Sequence, residues 1–367
     1  MKNLSGYTGF KTEINKTNDG IITTISSKNG ISKRSNNIEW NNKTVFANYV
    51  YNNDETYNVV YSIIDFEGNV QENYLENNGI LPTLFKTPDN ELYVSITIYH
   101  PDKELEISVP LINREVIKEP KQNKQFAGKY TGNIHQSVIF YDIDIFSDKK
   151  QDKMLNIEFK NGTIYKKHNI KIEFPKNNKI YIHNNEIHLF GKIGNYTYLH
   201  RQIDEFGKEL KQREIKTDGY WPRELLTLAF EENSCFISDK NGKITFVEID
   251  KAGNCTTVDL IDIHDEIYNA FQPISIGNGI FVINYNTEFG NGWFTIKDNT
   301  IVEFYYDKGK SGYKNILTNE TISIGSNDLI IEGINKTIEN GYAVLFSNNT
   351  KGKEKNKEII ILNKIIK

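Results

Sequence analysis

No run in this chain approaches the roughly 18 consecutive apolar residues that a membrane-spanning helix needs. The expectation is therefore a protein with no membrane segment. Met1–Phe10 lacks the apolar core of a secretory signal, which points to the cytoplasm; a secreted chain with its signal removed reads the same. There is no basic excess either. Forty-four Lys and Arg stand against 48 Asp and Glu, a formal charge of −4, and the duplex-binding proteins that such an excess marks are not expected. The lysine-rich stretch 351–357 is interleaved by Glu354 and reads as a solvated loop. Only two cysteines occur, Cys235 and Cys255, too few for a disulfide framework and in keeping with a reducing compartment. Phosphate-binding loops, dinucleotide fingerprints, zinc-ligand spacings and nucleophile elbows are all missing, so neither a cofactor nor a metal is expected. No segment shows a sustained 3.6-residue apolar period; the best helix candidate, residues 264–270, spans one or two turns.

What is present is a repeat. Ile64-Asp65-Phe66-Glu67-Gly68-Asn69, Ile203-Asp204-Glu205-Phe206-Gly207-Lys208 and Ile249-Asp250-Lys251-Ala252-Gly253-Asn254 each place an Asp-x-x-Gly turn between two alternating runs. Asp accepts from its own backbone, Gly supplies positive φ, and the product is a hairpin. Asp204 and Asp250 are 46 residues apart, and Asp65 and Asp204 are 139 apart, about three times that period. Turn-like segments fill the gap at Asn113-Arg114 and Asn161-Gly162 and continue at Asp19-Gly20, Asp298-Asn299 and around 349–352. Pro82, Pro222 and Pro273 each precede a short apolar run, as Pro does at a strand start. Ile274-Ser275-Ile276-Gly277 returns as Ile322-Ser323-Ile324-Gly325, 48 residues later.

One period reads as four strands, 224–230, 234–238, 243–250 and 254–260. This arrangement sets one strand between Cys235 and Cys255, about 9–10 Å, too far for a disulfide. Four antiparallel strands every 40 to 50 residues is the propeller pattern. A lone four-stranded sheet cannot bury both faces, and the abundant Tyr and Phe suit packing between twisted sheets. The chain thus resembles the β-propeller superfamily at the level of fold, over nearly its whole length. The recurring Gly-His and Trp-Asp pairs of WD40 repeats, the double glycines of kelch repeats and the Asp boxes of sialidases do not appear. The expectation is an all-β single domain over 1–367, with seven four-stranded blades over 37–367 (six or eight being the alternatives). An N-terminal hairpin, 8–27 within segment 1–36, would help close the array. Residues 125–174 form the least regular repeat.

Functional residues are sought on inter-blade loops. Gly219–Glu224 combines Tyr220, Trp221 and Arg223, residue types rich in binding hot spots; the alternative is a Trp plugging an inter-blade gap. His264-Asp265-Glu266, followed by Tyr268, suits metal or acid–base work, or simply a short helix start. The stretch 284–294 reads as a long loop presenting Phe289 and Trp293, or as packing aromatics. His183 and His188 flank a turn and form a conceivable metal pair. Taken together, these features favour a non-enzymatic, monomeric interaction module with a protein partner, such as a bacterial accessory protein. Its partner-binding set is Tyr220, Trp221, Arg223, His264, Asp265, Tyr268, Phe289 and Trp293. The competing readings are a carbohydrate-active or other hydrolase or lyase with its site in a central funnel, and a small-molecule or metal sensor.

Overall fold

Asparagine and glycine decide where this chain reverses. Eight of the ten non-glycine residues with positive φ among the described residues are Asn, the type that tolerates the left-handed region best after Gly. Asn41-Asn42 (φ 51° and 59°) and Asn184-Asn185 (φ 49° and 59°) supply the two consecutive left-handed residues of a tight hairpin turn. The abundance of Asn thus has a structural use. The Asp-x-x-Gly turns form as their sequence predicts. Asp204 Oδ1 accepts from the Phe206 and Lys208 amides at 2.9 and 2.8 Å, and the Gly207 amide (φ 87°) donates to the Asp204 carbonyl. Asp65 Oδ1 likewise accepts from the Asn69 amide at 2.8 Å, with Gly68 also at φ 87°. The third copy, at Asp250, lies outside the described residues.

The computed structural model describes residues 10–18, 20–32, 36–51, 57–77, 79–100, 103–110, 128–142, 153–160, 163–171, 179–194, 197–216, 226–230, 233–240, 243–249, 255–262, 267–270, 273–287, 290–298, 300–307, 312–324, 329–348 and 355–366. Every regular element among them is a strand. In chain order these are β1 (Phe10–Thr17), β2 (Gly20–Ser32), β3 (Asn36–Trp40), β4 (Lys43–Tyr51), β5 (Tyr57–Ile64), β6 (Val70–Asn77), β7 (Gly79–Lys86), β8 (Leu92–His100) and β9 (Lys103–Pro110). There follow β10 (Gly128–Ile134), β11 (Ser137–Asp142), β12 (Lys153–Lys160), β13 (Thr163–Lys171), β14 (Lys179–His183), β15 (Glu186–Lys192), β16 (Thr197–Ile203), β17 (Glu209–Lys216), β18 (Leu226–Phe230), β19 (Asn233–Lys240), β20 (Lys243–Ile249) and β21 (Cys255–Asp262). The last are β22 (Ile267–Ala270), β23 (Ile274–Gly277), β24 (Ile280–Thr287), β25 (Asn291–Lys297), β26 (Thr300–Tyr306), β27 (Gly312–Asn315), β28 (Thr321–Ser323), β29 (Leu329–Lys336), β30 (Gly341–Asn348) and β31 (Lys355–Ile365).

These strands make antiparallel sheets of the propeller-blade kind, and the all-β propeller class holds. The blade count does not. Five sheets carry four strands or more, in place of seven separate four-stranded blades. They are β10–β13, β14–β17, β18–β21, a seven-stranded sheet over β22–β28, and a nine-stranded sheet ordered β29-β30-β31-β2-β4-β5-β6 with β1 on β2 and β3 on β4. A further sheet, β7–β9, has three strands. The repeat arithmetic missed this because strands can pair across a repeat boundary: β2 meets β4 at the single position Ile31↔Val50, and that bridge fuses two groups. The N-terminal hairpin does add strands to the C-terminal sheet, pairing Ile21–Ser26 with Glu358–Asn363. The stretch 125–174, the least regular repeat in sequence, contains a four-stranded sheet, β10–β13, with bulges in the β10–β11 and β12–β13 ladders. Cys235 and Cys255 fall on β19 and β21 with β20 between, as expected.

Other sequence markers need correction. Pro82 lies inside β7 and does not precede a strand; β7 is the first strand of its sheet, where a missing donor is tolerated. Ile274–Gly277 is β23, paired with β24, whereas Ile322-Ser323 falls in β28, paired with β27, so the two copies are not equivalent. The helix candidate contains a strand, β22. The stretch 284–294 is a β24–β25 hairpin with Asn286↔Asn291 in register, because its alternating side chains have apolar neighbours to pack on.

By contact, the chain divides into two compact units. The first comprises Met1–Pro82, Ile96–Pro101 and Leu260–Lys367; the second comprises Thr83–Ser95 and Asp102–Asp259. In the first unit the period-two rule is plain. Tyr342, Val344, Phe346, Ile360 and Leu362 join one core with Trp293, Tyr305 and Tyr313, while Ala343, Leu345, Ile359 and Ile361 join another with Ile25, Phe46 and Ile64. The central runs Tyr342–Phe346 of β30 and Ile359–Leu362 of β31 are apolar without alternation because both their faces are covered. The second unit packs β10–β13 on β14–β17 through Ile139, Met154, Ile170, Ile187, Leu189 and Ile203.

The Asp204–Gly207 turn also ties its sheet to the neighbouring one, and the Asp65–Gly68 turn ties remote strands of the nine-stranded sheet together. In the second unit Asn156 Nδ2 donates to the Glu205 carbonyl at 2.7 Å, and a Cβ on Gly207 would meet Ile170 Cγ2 at 2.7 Å. In the first unit Asn363 Nδ2 donates to the Asp65 carbonyl at 3.3 Å, and Thr23 Oγ1 donates to the Gly68 carbonyl at 3.2 Å. The repeated motif is a turn and also a docking device.

Candidate functional site

Six of the eight residues expected to bind a partner, Tyr220, Trp221, Arg223, His264, Asp265 and Phe289, lie outside the described residues. Tyr268 falls in β22 at a register shift against β24. Trp293 is a correction. It is fully buried on β25, stacked on Tyr305 at 4.6 Å, with its indole N–H donating to Tyr342 OH at 3.0 Å. With no exposed surface it serves the core; the aromatic-loop reading failed because the surrounding run is strand.

The structure gathers polar groups in two places instead. The first crosses β14–β17. Tyr181 on β14 stacks on His188 of β15 at 4.8 Å, and Phe190 stacks on His200 of β16 at 4.1 Å. His188 Nδ1 and His200 Nε2 are 3.0 Å apart, with both rings buried and nearly coplanar at 16°. Arg213 on β17 points its Nε at His200 Nδ1, 3.0 Å away. A guanidinium can only donate, so His200 Nδ1 must accept. The His200 proton then sits on Nε2 and is donated to His188 Nδ1. The His188 proton lies on Nε2, 3.8 Å from Glu186 Oε2. Both hydrogen bonds point one way, from Arg213 through His200 to His188. His200 is held neutral: burial, then the Arg213, His188 and Lys211 charges, push its pKa down to about 2. His188, read from sequence as at most a conceivable metal partner of His183, meets His200, while His183 stands in register with Glu186. Counting back from the turn at 193–196 puts His200 opposite Phe190, one diagonal step from His188, so this contact was legible once the hairpin was recognised.

The second gathering lies between β26, β30 and β31. Lys364 Nζ is 3.1 Å from Glu303 Oε1 and 2.6 Å from Tyr305 OH, with only 7% of its side chain exposed. Tyr342 OH donates to Glu303 Oε2 at 3.0 Å. Burial pulls the Lys364 ammonium down, but Glu303 and Tyr305 together outweigh it and hold the lysine above its ordinary range. Burial, then Glu303, pushes the Tyr342 hydroxyl far up. Nothing in the sequence marked this network, whose partners lie 39 and 59 residues apart. Among the described residues no group of three or more His, Cys, Asp or Glu side chains converges.

A third feature is on the surface. Phe206, 55% exposed, stands in the Asp204–Gly207 turn with its ring edge-on to His168 at 5.8 Å.

No family model matches the chain, and no curated protein sequence matches it. Solved structures do. Virginiamycin B lyase from Staphylococcus aureus aligns over 94% of this chain and 99% of its own, with 13% identity and a TM-score of 0.43. The dihydro-heme d1 dehydrogenase NirN aligns over 97% of this chain and 73% of its own, with 9% identity and a TM-score of 0.44. Both are β-propeller proteins. Hsv2 of Kluyveromyces lactis aligns over 91% and 100%, with 10% identity and a TM-score of 0.45. The likeness is one of fold.

Proposed function

We propose that this chain is a non-enzymatic propeller module that binds a protein partner through its turns and inter-strand loops. The observation that carries the reading is Phe206. A large aromatic, more than half exposed, is held at the tip of a turn that Asp204 braces through two backbone amides and that Asn156 ties to the neighbouring sheet. A rigid exposed aromatic loses little entropy on binding, which is the property of an interface anchor. The two buried polar gatherings support the same reading. The Lys364 ammonium is engaged by Glu303 and Tyr305, and His200 by Arg213 and His188, so these groups are occupied within the fold. The loop residues Tyr220, Trp221, Arg223, His264, Asp265 and Phe289, with Tyr268, stay candidate partner contacts; Trp293 does not.

The test is quantitative co-purification from the native cell with wild type, Phe206→Ala and Trp221→Ala/Arg223→Ala, each checked for folding by circular dichroism. A partner enriched by wild type and lost by both variants supports the module. Undiminished capture by both variants, or no enriched partner at all, overturns it.

A further inference from the structure

The last strands of the three four-stranded sheets, and β6 at the end of the nine-stranded sheet, differ in charge. β6 carries Glu72 and Glu76 without a basic residue, and β21 carries Asp259 and Asp262 likewise. β17 mixes Glu209 and Glu214 with Lys211, Arg213 and Lys216. β13 alone of these four has no acidic residue: Thr163–Lys171 holds Lys166, Lys167, Lys171 and His168. It is also an edge, the last strand of its sheet, paired with β12 on one side among the described residues. A bulge leaves Tyr165 as an extra residue, and from Lys166 to Lys171 the ladder with β12 runs unbroken. Tyr165, Lys166, His168 and Asn169 are exposed, and Phe206 flanks His168. The Lys166–Glu158 ion pair, 3.5 Å long with 64% of the lysine side chain exposed, leaves that lysine available.

Lysines on an edge repel strands of like charge and so guard against edge-to-edge aggregation. The same lysines admit a strand of opposite charge, whose main chain bonds to the open edge while its carboxylates pair across the ladder. We propose that the β13 edge, from Lys166 to Lys171, is the docking strand for an extended acidic segment of the protein partner. This rests on the partner-binding reading and assigns that partner its chemistry.

The experiment titrates the full chain against a fluorescein-labelled hexapeptide of alternating Glu and Val, with an alternating Lys and Val peptide as control, read by fluorescence anisotropy. Saturable binding of the acidic peptide is expected, weakening as salt is raised. Lys166→Glu should weaken it severalfold, because a favourable cross-strand pair becomes unfavourable. Lys211→Glu/Lys216→Glu on β17 should leave it unchanged, and bound peptide should slow amide exchange along β13. No saturable binding, equal binding of the basic peptide, no effect of the β13 charge reversal, or self-association of the chain through this edge would each overturn the assignment. If the peptide fails while Phe206→Ala still loses the captured partner, only the edge falls. If Phe206→Ala and the loop variant both keep the partner, the module reading itself falls.

Discussion

The sheet β14–β17 and the junction of β26 with β30 and β31 both bury polar side chains, by opposite means. The histidine row keeps His200 neutral and orders its members by direction: Arg213 donates to His200, and His200 to His188. The junction keeps full charges and cancels them, Lys364 against Glu303. A neutral pair needs only matched donors and acceptors to lie in an apolar interior, whereas a buried charge needs its counter-ion at hand. The two networks should therefore fail at opposite ends of the pH scale. His200 has a folded pKa far below its ordinary 6.5, so its contribution is complete above that value and lost as pH falls below it. Lys364 and Tyr342 are raised above their ordinary 10.5 and 10.0, so their contribution is complete below about those values and lost as pH climbs past them.

The sharpest way to break the contrast is to remove one charge. Lys364→Met should cost about 2–4 kcal/mol by leaving the partly buried Glu303 without its counter-ion. The double variant Lys364→Met/Glu303→Leu should recover most of that loss. Urea denaturation followed by Trp293 fluorescence, in a background with Trp40 and Trp221 changed to Phe, reads the effect in the right unit. If the single and double variants are equally unstable, the charges do not compensate each other.

His200→Phe should cost less, about 1–3 kcal/mol at neutral pH, since it orphans Arg213 Nε and His188 Nδ1 without stranding a buried charge. It should also flatten the loss of stability expected of wild type between pH 6.5 and 4. In wild type, the His200 ring resonances should not titrate between pH 8 and 4; a midpoint near 6.5 would refute the neutral assignment.

The docked turns offer a finer comparison. Gly207→Ala forces a positive φ on alanine and presses its Cβ on Ile170, for about 1–3 kcal/mol. Asn156→Ala removes only the tie to Glu205, for about 1 kcal/mol. Thermal melts that reverse this order would mean the hydrogen bond, and not the turn conformation, holds the sheets together. Smallest of all, Phe206→Ala should change stability by no more than about 0.5 kcal/mol while abolishing partner capture. A large loss of stability would make Phe206 a packing residue.

Much of the local architecture was legible. Asp204 and Gly207 announced their turn because both act on the backbone within four residues. Strand β20 was expected over 243–250 and found over Lys243–Ile249, since its alternation is local too. The sheet count was not legible, because one paired position, Ile31↔Val50, joins groups that the repeat separates. Nor was Trp293 placed correctly: hydrophobicity near Gly292 reads equally as a loop or as a buried strand until neighbours are known. Of the polar gatherings, His188 was noticed but given the wrong partner, and Glu303 and Lys364 went unnoticed.

From its residues alone the chain determined turn chemistry and strand content, because each depends on groups a few positions apart. The tertiary structure decided which strands fused into larger sheets, which aromatics became core, and which ionisable side chains met. Those outcomes depend on how faces are covered, and a face is covered by residues remote in sequence.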